Sequence, residues 1–241
     1  MPTTPSALRG AALALALAVA AGPAHAASED ATFDFYVSGI PVGKMSLDTS
    51  QTANAYTSRS RIEAAGVLGA LLTFNYDGVS SGRIAADGSI VPDSFRARSI
   101  SPGSDRRSSI DWEGGAPASV TVDPPRKHPP DPTKQAGTID PISAAFAILR
   151  DRPADRLCDK TLTVFDGSRV SRLRLDPEQD AGDTITSAGS YARIEGEAHS
   201  LSSQREFPFQ LVFVKQPNGD GRLQRIQTQT TFGRAVLERR S

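Results

Sequence analysis

Few residue patterns in this 241-residue chain point to catalytic or metal chemistry. Gly78-Val79-Ser80-Ser81-Gly82 matches G-x-S-x-G, a serine hydrolase motif that requires a helix directly after the serine. Arg83 to Gly88 runs into another turn instead, which favours a strand with small side chains. Beyond the first 26 residues the histidines are His128 and His199, and they form no metal-binding motif.

Arginines provide a second candidate chemistry. Pairs spaced two residues apart lie within candidate strands: Arg59 and Arg61, Arg96 and Arg98, and Arg172 and Arg174. Such spacing places both members of a pair on one face of a sheet, so neighbouring strands would form a basic patch for anionic headgroups or glycans. The alternative is a solvated outer face with Asp and Glu opposite the arginines, which a net charge of zero favours.

An apolar stretch provides the third candidate. No polar side chain occurs from Ala64 to Leu72. As a lid, this stretch would place Leu68, Leu71 and Leu72 over a hydrophobic cavity that binds an apolar ligand. The alternative is a short helical turn that covers the core.

Composition excludes several classes of function. The chain has 27 basic and 27 acidic residues, so no overall charge attracts nucleic acid. Its one cysteine, Cys158, excludes an internal disulfide framework, and we expect a buried thiol. No motif for a cofactor or metal is found, and we expect neither. Asp77 and Asp166, in Asp-Gly dipeptides, are the residual candidates for an envelope-polymer hydrolase, but turn geometry explains them, and we expect no enzyme.

Residues 1–26 resemble a cleaved signal peptide. Arg9 precedes an apolar run from Ala11 to Ala21, which is too short to span a bilayer, and Ala24-His25-Ala26 is typical of a cleavage site. No cysteine follows the predicted cut after Ala26, which argues against lipidation. The alanine-rich signal and arginine-based positive charge are typical of a Gram-negative bacterium, so the predicted location is the periplasm. We expect no transmembrane segment after cleavage.

The rest of the chain, residues 27–241, predicts a single β-rich domain. Phe33, Phe35 and Val37 alternate with polar residues, and the period of two indicates strands. Strands follow one another with turn dipeptides such as Asp77-Gly78 and Asp87-Gly88 between them, which favours an antiparallel sheet.

One helix interrupts the strands. Asp140 is a good N-cap, Pro141 suits the first turn, and Ile142, Phe146 and Leu149 share one apolar face, which predicts a plug against the sheet. The Pro-rich segment 123–135 predicts a surface loop.

Several segments, taken in order, resemble the bacterial exported family known as domain of unknown function 3108 (DUF3108). They are Phe35-Tyr36-Val37-Ser38-Gly39-Ile40-Pro41-Val42-Gly43-Lys44, Arg61-Ile62-Glu63-Ala64-Ala65-Gly66, Phe74-Asn75-Tyr76-Asp77, Asp140-Pro141-Ile142-Ser143-Ala144, Val164-Phe165-Asp166-Gly167 and Phe232-Gly233-Arg234. The resemblance implies an exported, mainly β protein with a curved antiparallel sheet, or open half-barrel, similar to periplasmic lipoprotein carriers. It also implies a second cysteine in some members near Ser187–Tyr191, which this chain lacks.

Two functional hypotheses follow. The first is a noncatalytic binding or carrier module for an apolar or lipid-like envelope component, with Leu68, Leu71 and Leu72 or the arginines Arg59, Arg61, Arg96 and Arg98 as ligand-binding residues. The alternative is an interaction factor in cell-envelope assembly that binds another protein through loop 123–135 or an exposed sheet edge.

Overall fold

The computed structural model describes residues 27–66, 74–196 and 206–240. Within these ranges, one antiparallel sheet contains 15 strands. Their bounds are β1 Ala27–Val37, β2 Ile40–Gln51, β3 Ala55–Ala64, β4 Asn75–Ile84, β5 Ile90–Ser101, β6 Ser104–Glu113, β7 Ala116–Asp123, β8 Arg152–Pro153, β9 Lys160–Phe165, β10 Arg169–Leu175, β11 Gln179–Ala181, β12 Thr184–Gly196, β13 Glu206–Lys215, β14 Asp220–Thr230 and β15 Gly233–Arg239. The mainly β, antiparallel fold class is confirmed.

The predicted helix is present as α1, Pro141–Leu149, with Asp140 as its N-cap. Short 3₁₀ turns precede and follow it at Pro132–Lys134 and Ala154–Arg156. The Arg152 side chain donates from Nη1 to the carbonyl oxygen of Ile148 at 2.9 Å, so a cation satisfies the C-terminal end of the helix.

The sheet consists of two meanders that meet in its middle. Strands β7 to β1 lie side by side in sequence order, and β15, β14, β13, β12, β10 and β9 continue the sheet on the other side of β1. The short strands β11 and β8 pair with β12 and β14. Strands β1 and β15 join the two meanders, with Phe33 opposite Arg239 and Val37 opposite Ala235.

The sheet is curved but is not closed into a barrel. Its end strands β7 and β9 are not paired with each other in the strand order of the described residues. The segment before α1 lies between them: Gly137 N donates to Gly115 O at 2.8 Å, and Ile139 N donates to Thr163 O at 2.9 Å. An irregular segment, and not a strand ladder, therefore links the two ends of the sheet.

Helix α1 packs against the inner face of this sheet. Ile142, Phe146 and Leu149 are all buried, which confirms the predicted plug. The Phe146 ring stacks on the Tyr56 ring with centroids 4.6 Å apart. The space beside the helix is filled by large, fully buried side chains from both meanders, including Phe33, Phe95, Phe165, Phe213, Ile110, Leu211 and Leu223.

The prediction of a turn at Asp77-Gly78 was wrong, because both residues lie within β4. A Cβ atom on Gly78 would lie 2.8 Å from Ile142 Cδ1 and 2.9 Å from Ala97 Cβ. Gly78 thus provides the space in which α1 approaches the sheet. The Asp87-Gly88 turn is confirmed, since it lies between β4 and β5.

Cys158 is buried, as expected. Burial raises the pKa of its thiol, and a hydrogen bond with the Ser187 side chain partly offsets that effect. Ser187 belongs to the region, Ser187–Tyr191, in which the family resemblance implies a second cysteine in some members, and this chain has no cysteine there.

We expect Phe146→Ala to lower the free energy of unfolding by about 3–5 kcal/mol, the usual loss for truncating a buried aromatic side chain. Urea denaturation followed by circular dichroism measures the loss. Phe232→Ala is the matched control, since Phe232 is 74% exposed and its truncation should change stability by less than about 0.5 kcal/mol. Equal effects of the two substitutions would contradict the role of α1 as a plug.

Candidate functional site

Ser80, the serine of the G-x-S-x-G match, belongs to a cluster that we call the buried polar network: Tyr56, Ser80, Asp140 and Ser143. Ser80 Oγ lies 2.8 Å from Asp140 Oδ2 and 2.8 Å from Ser143 Oγ. Ser143 Oγ lies 2.5 Å from the Tyr56 hydroxyl. All four residues are buried, and they connect the first turn of α1 to β3 and β4.

The Asp140 carboxylate accepts four hydrogen bonds. Oδ1 accepts from the backbone N–H groups of Ile142 and Ser143, both at 2.9 Å. Oδ2 accepts from the hydroxyls of Ser80 and Ser143. Burial raises the pKa of Asp140, and these hydrogen bonds only partly oppose that effect. Burial also raises the pKa of Tyr56, and the nearby Asp140 carboxylate adds to the shift.

The buried polar network lacks the geometry of a nucleophile elbow. Ser80 lies inside β4, and no helix begins after it. The described residues place no histidine among its hydrogen-bond partners, since His128 is exposed in the Pro-rich loop. His199 lies outside the described ranges. The network can hold α1 on the sheet, and solvent does not reach the Ser80 hydroxyl.

The two carboxylates considered for hydrolysis have structural partners. Asp77 Oδ2 lies 2.7 Å from Arg59 Nη2 on the outer face of the sheet. Asp166 Oδ1 accepts from the backbone N–H groups of Ser168 and Arg169 at 2.7 Å in the turn between β9 and β10. Among residues 27–66, 74–196 and 206–240, no cluster of three or more His, Cys, Asp or Glu side chains is placed to bind a metal ion.

The structure brings two of the three arginine pairs together. Arg59 and Arg61 in β3 and Arg96 and Arg98 in β5 lie on the outer face, and Asp77 of β4 stands between Arg61 and Arg98 in register. Arg59, Arg96 and Arg98, but not Arg61, border a shallow groove of about 500 Å³ that also includes Arg107 and Asp123. Arg172 and Arg174 lie in β10, in the other meander, so a patch of all six guanidinium groups does not form.

Carboxylates pair with Arg59, Arg61, Arg96 and Arg98 on this outer face. Arg96 Nη2 lies 2.6 Å from Asp111 Oδ1, and Arg98 Nη2 lies 2.6 Å from Asp105 Oδ2. Arg61 lies between Asp48 and Asp77, at 3.3 and 3.4 Å. The face is therefore a row of alternating charges, as in the solvated arrangement that the zero net charge favours.

The apolar candidates Leu68, Leu71 and Leu72 lie outside the described residues. Their connection starts and ends at positions that the structure does describe. Ala65 N donates to Val42 O at 3.0 Å on the side of β3, and Ala64 N donates to Phe74 O at 3.0 Å on the side of β4. The connection therefore starts beside Val42 of β2 and ends beside Ala64 of β3.

The same end of the sheet carries large exposed apolar side chains, which we call the apolar rim: Phe35 (37% exposed), Ile40 (56%), Phe74 (39%) and Phe232 (74%). The turns that carry them are joined. Ser38 Oγ donates to Phe232 O, and Ser38 N donates to Arg234 O, both at 2.8 Å. Hydrogen bonds thus join the β1–β2 turn to the β14–β15 turn. Phe74 lies on the other side of β2 and β3 from Phe35.

No periodic pattern in the sequence identifies the apolar rim. Phe232 is far from the other members in the chain, and the pairing of β1 with β15 brings it to their end of the sheet. A signal was nevertheless present. Ile40 and Phe232 lie in or beside hairpin turns, where polar residues predominate, and a large apolar residue there has no packing explanation within its own hairpin.

Comparison with known proteins extends these observations. A family model described as "Protein of unknown function (DUF3108)" matches residues 32–238. A crystal structure of a β-barrel-like protein of domain of unknown function DUF1849 from Brucella abortus is similar, with 14% identity, a TM-score of 0.49, and coverage of 89% of this chain and 96% of that one. No curated protein matches. No helix in the described ranges has the length and apolar character needed to cross a membrane.

The raised pKa of Asp140 predicts the direction in which the stability of the protein changes with pH. The folded state keeps this proton to a higher pH than the unfolded state does, so the stability that Asp140 confers falls as pH rises from its ordinary pKa of 3.8 through the raised value. The difference in unfolding free energy between wild type and Asp140→Asn should therefore decrease through that window, by at most about 1.4 kcal/mol per pH unit.

Urea denaturation at a series of pH values measures this difference. Asp131→Asn is the control, because hydrogen bonds from Thr133 lower the pKa of Asp131. The stability that Asp131 confers is present above its ordinary pKa and is lost as pH falls, so the control must show the opposite slope. A slope of the same sign for both variants would contradict the assignment.

Proposed function

We propose that this chain, which belongs to the DUF3108 family, is an exported, noncatalytic module that binds an apolar or lipid-like component of the cell envelope at its apolar rim. The observation that carries the proposal is the grouping of Phe35, Ile40, Phe74 and Phe232 at one end of the sheet, each at least 37% exposed. Exposed apolar side chains that gather at one place are typical of a lipid or partner contact.

The packing of side chains on the inner face of the sheet supports binding at the rim. Ile142, Phe146 and Leu149 of α1 are buried against the inner face, and side chains of both meanders fill the space around them. An acyl chain therefore finds exposed apolar surface at the end of the sheet, beside Phe35, and not beside α1. Gly43 stands opposite Phe35 on β2, so no side chain of β2 covers that ring from this position.

The outer arginine face supports the same choice. Arg59, Arg61, Arg96 and Arg98 each pair with an aspartate, so these four guanidinium groups are already neutralised. Exposed ion pairs of this kind contribute little to binding unless a ligand displaces the carboxylates. The rim is the better candidate because its side chains have no such partners to lose.

We expect Phe232→Ser and Ile40→Ser each to weaken binding of the protein to phospholipid vesicles about tenfold or more, since each removes apolar surface that the lipid would bury. Vesicle co-sedimentation of the chain from residue 27 onward measures the affinity. Val79→Ser is the matched control, because Val79 is 39% exposed on the outer face of β4, away from the rim.

Unchanged vesicle affinity in both rim variants would contradict the proposal. The protein-interaction alternative makes a different prediction. Deletion within loop 123–135 would then remove crosslinks to an envelope protein in intact cells, while rim substitutions would leave those crosslinks unchanged.

A further inference from the structure

A concavity of about 330 Å³ opens on the outer face where the two meanders meet. Strands β1, β14 and β15 line it with Tyr36, Arg225, Gln227, Arg234, Val236 and Glu238. Tyr36, Val236 and Gln227 are direct neighbours in register across the three strands, and they form its floor. A floor that combines apolar surface with hydroxyl and amide groups, and that guanidinium groups border, is a common form of small binding site.

The charges that line the concavity leave one cation in excess. Arg225 Nη2 lies 2.7 Å from Glu238 Oε1, so these two side chains neutralise each other. Among the residues that the structure describes, no carboxylate forms an ion pair with Arg234, which lies on the side of the concavity nearer the β1–β2 turn. An anionic group would therefore find one guanidinium without an ion pair, the Tyr36 hydroxyl and the Gln227 amide, whose Nε2 also donates to Gln210 Oε1 at 2.6 Å.

The concavity adjoins the apolar rim. Arg234 follows Phe232 by two residues, and Ser38 bonds to the carbonyl oxygens of both, at 2.8 Å. Gly233 between them has a φ of 101°, and a Cβ atom at this position would overlap the Ser38 hydroxyl, so a side chain here would separate the two turns. The backbone thus fixes the positions of Phe232 and Arg234 at this end of the sheet.

We propose that this concavity binds the anionic phosphodiester headgroup of a lipid whose acyl part lies on the apolar rim. The inference rests on the proposed function, because it adds a headgroup site to the same lipid contact. Arginine suits a phosphate because its planar guanidinium donates two parallel hydrogen bonds to two oxygens. The adjacency of a charged concavity and an apolar rim matches the two halves of an amphiphile.

Vesicles of two compositions test the headgroup site: phosphatidylglycerol mixed with phosphatidylcholine, and phosphatidylcholine alone. We expect the wild type to bind the anionic vesicles about fivefold more tightly, as one arginine near an anionic surface would provide. Arg234→Gln should abolish this preference and leave the affinity for phosphatidylcholine unchanged. Arg83→Gln is the matched control, since Arg83 is exposed, pairs with Asp93 and does not line the concavity.

The possible results separate the two proposals. Equal affinity of the wild type for both vesicles, or equal losses in Arg234→Gln and Arg83→Gln, would overturn the headgroup site and leave the rim in place. Failure to bind either vesicle would overturn the proposed function, and with it the lipid source of the anion.

Titration with glycerol 3-phosphate, monitored through the side-chain NMR signals of arginine, tests whether the concavity binds a soluble phosphate. Shifts that are present in the wild type and absent in Arg234→Gln support an anion site. If those shifts occur while neither vesicle binds, the site takes a soluble phosphate and the lipid proposal is overturned. Absence of shifts together with absence of a vesicle preference overturns the site entirely.

Discussion

The carboxylate of Asp140 fixes the position of α1, and the rest of the interior is arranged around that helix. Four donors satisfy the carboxylate, two from the helix backbone and two from the hydroxyls of Ser80 and Ser143. A buried carboxylate without such donors would be costly, so the inner face of β4 must present a small hydroxyl at this point. Gly78, two residues earlier, leaves room for Ile142. The sheet can therefore curve closely around the helix.

Much of this architecture could be predicted because local rules decide it. The alternation of Phe33, Phe35 and Val37 with polar residues identified β1. The N-cap at Asp140 and the apolar stripe that follows it in sequence identified α1. The prediction of a turn at Asp77-Gly78 was wrong because an Asp-Gly dipeptide indicates a turn only where the backbone conformation requires the glycine. Here Gly78 leaves room for a helix that is more than sixty residues away in sequence. Strand β8, with two residues, carries no pattern at all.

The candidate site was harder to predict, since it depends on which strands are neighbours. Spacing correctly placed Arg59 and Arg61 on one face, and it correctly placed Arg96 and Arg98 on one face. Spacing could not show that Asp77 lies between the two pairs or that β10 lies in the other meander. The apolar rim and the Arg234 concavity both depend on the contact between the β1–β2 and β14–β15 turns. Residues so far apart in the chain leave no periodic signal.

The pairing of β1 with β15 has a consequence for the order in which the fold is completed. Asp34 and Arg240 form an ion pair across almost the whole chain, and Phe33 stands opposite Arg239. Each meander can form hairpin by hairpin from local contacts, which close quickly. The two meanders can join only after the last strand has been synthesised. Until then β1 and β14 both have an open edge, and such edges invite pairing with other chains. These two strands are therefore the part of the sheet most open to such pairing before the fold is complete.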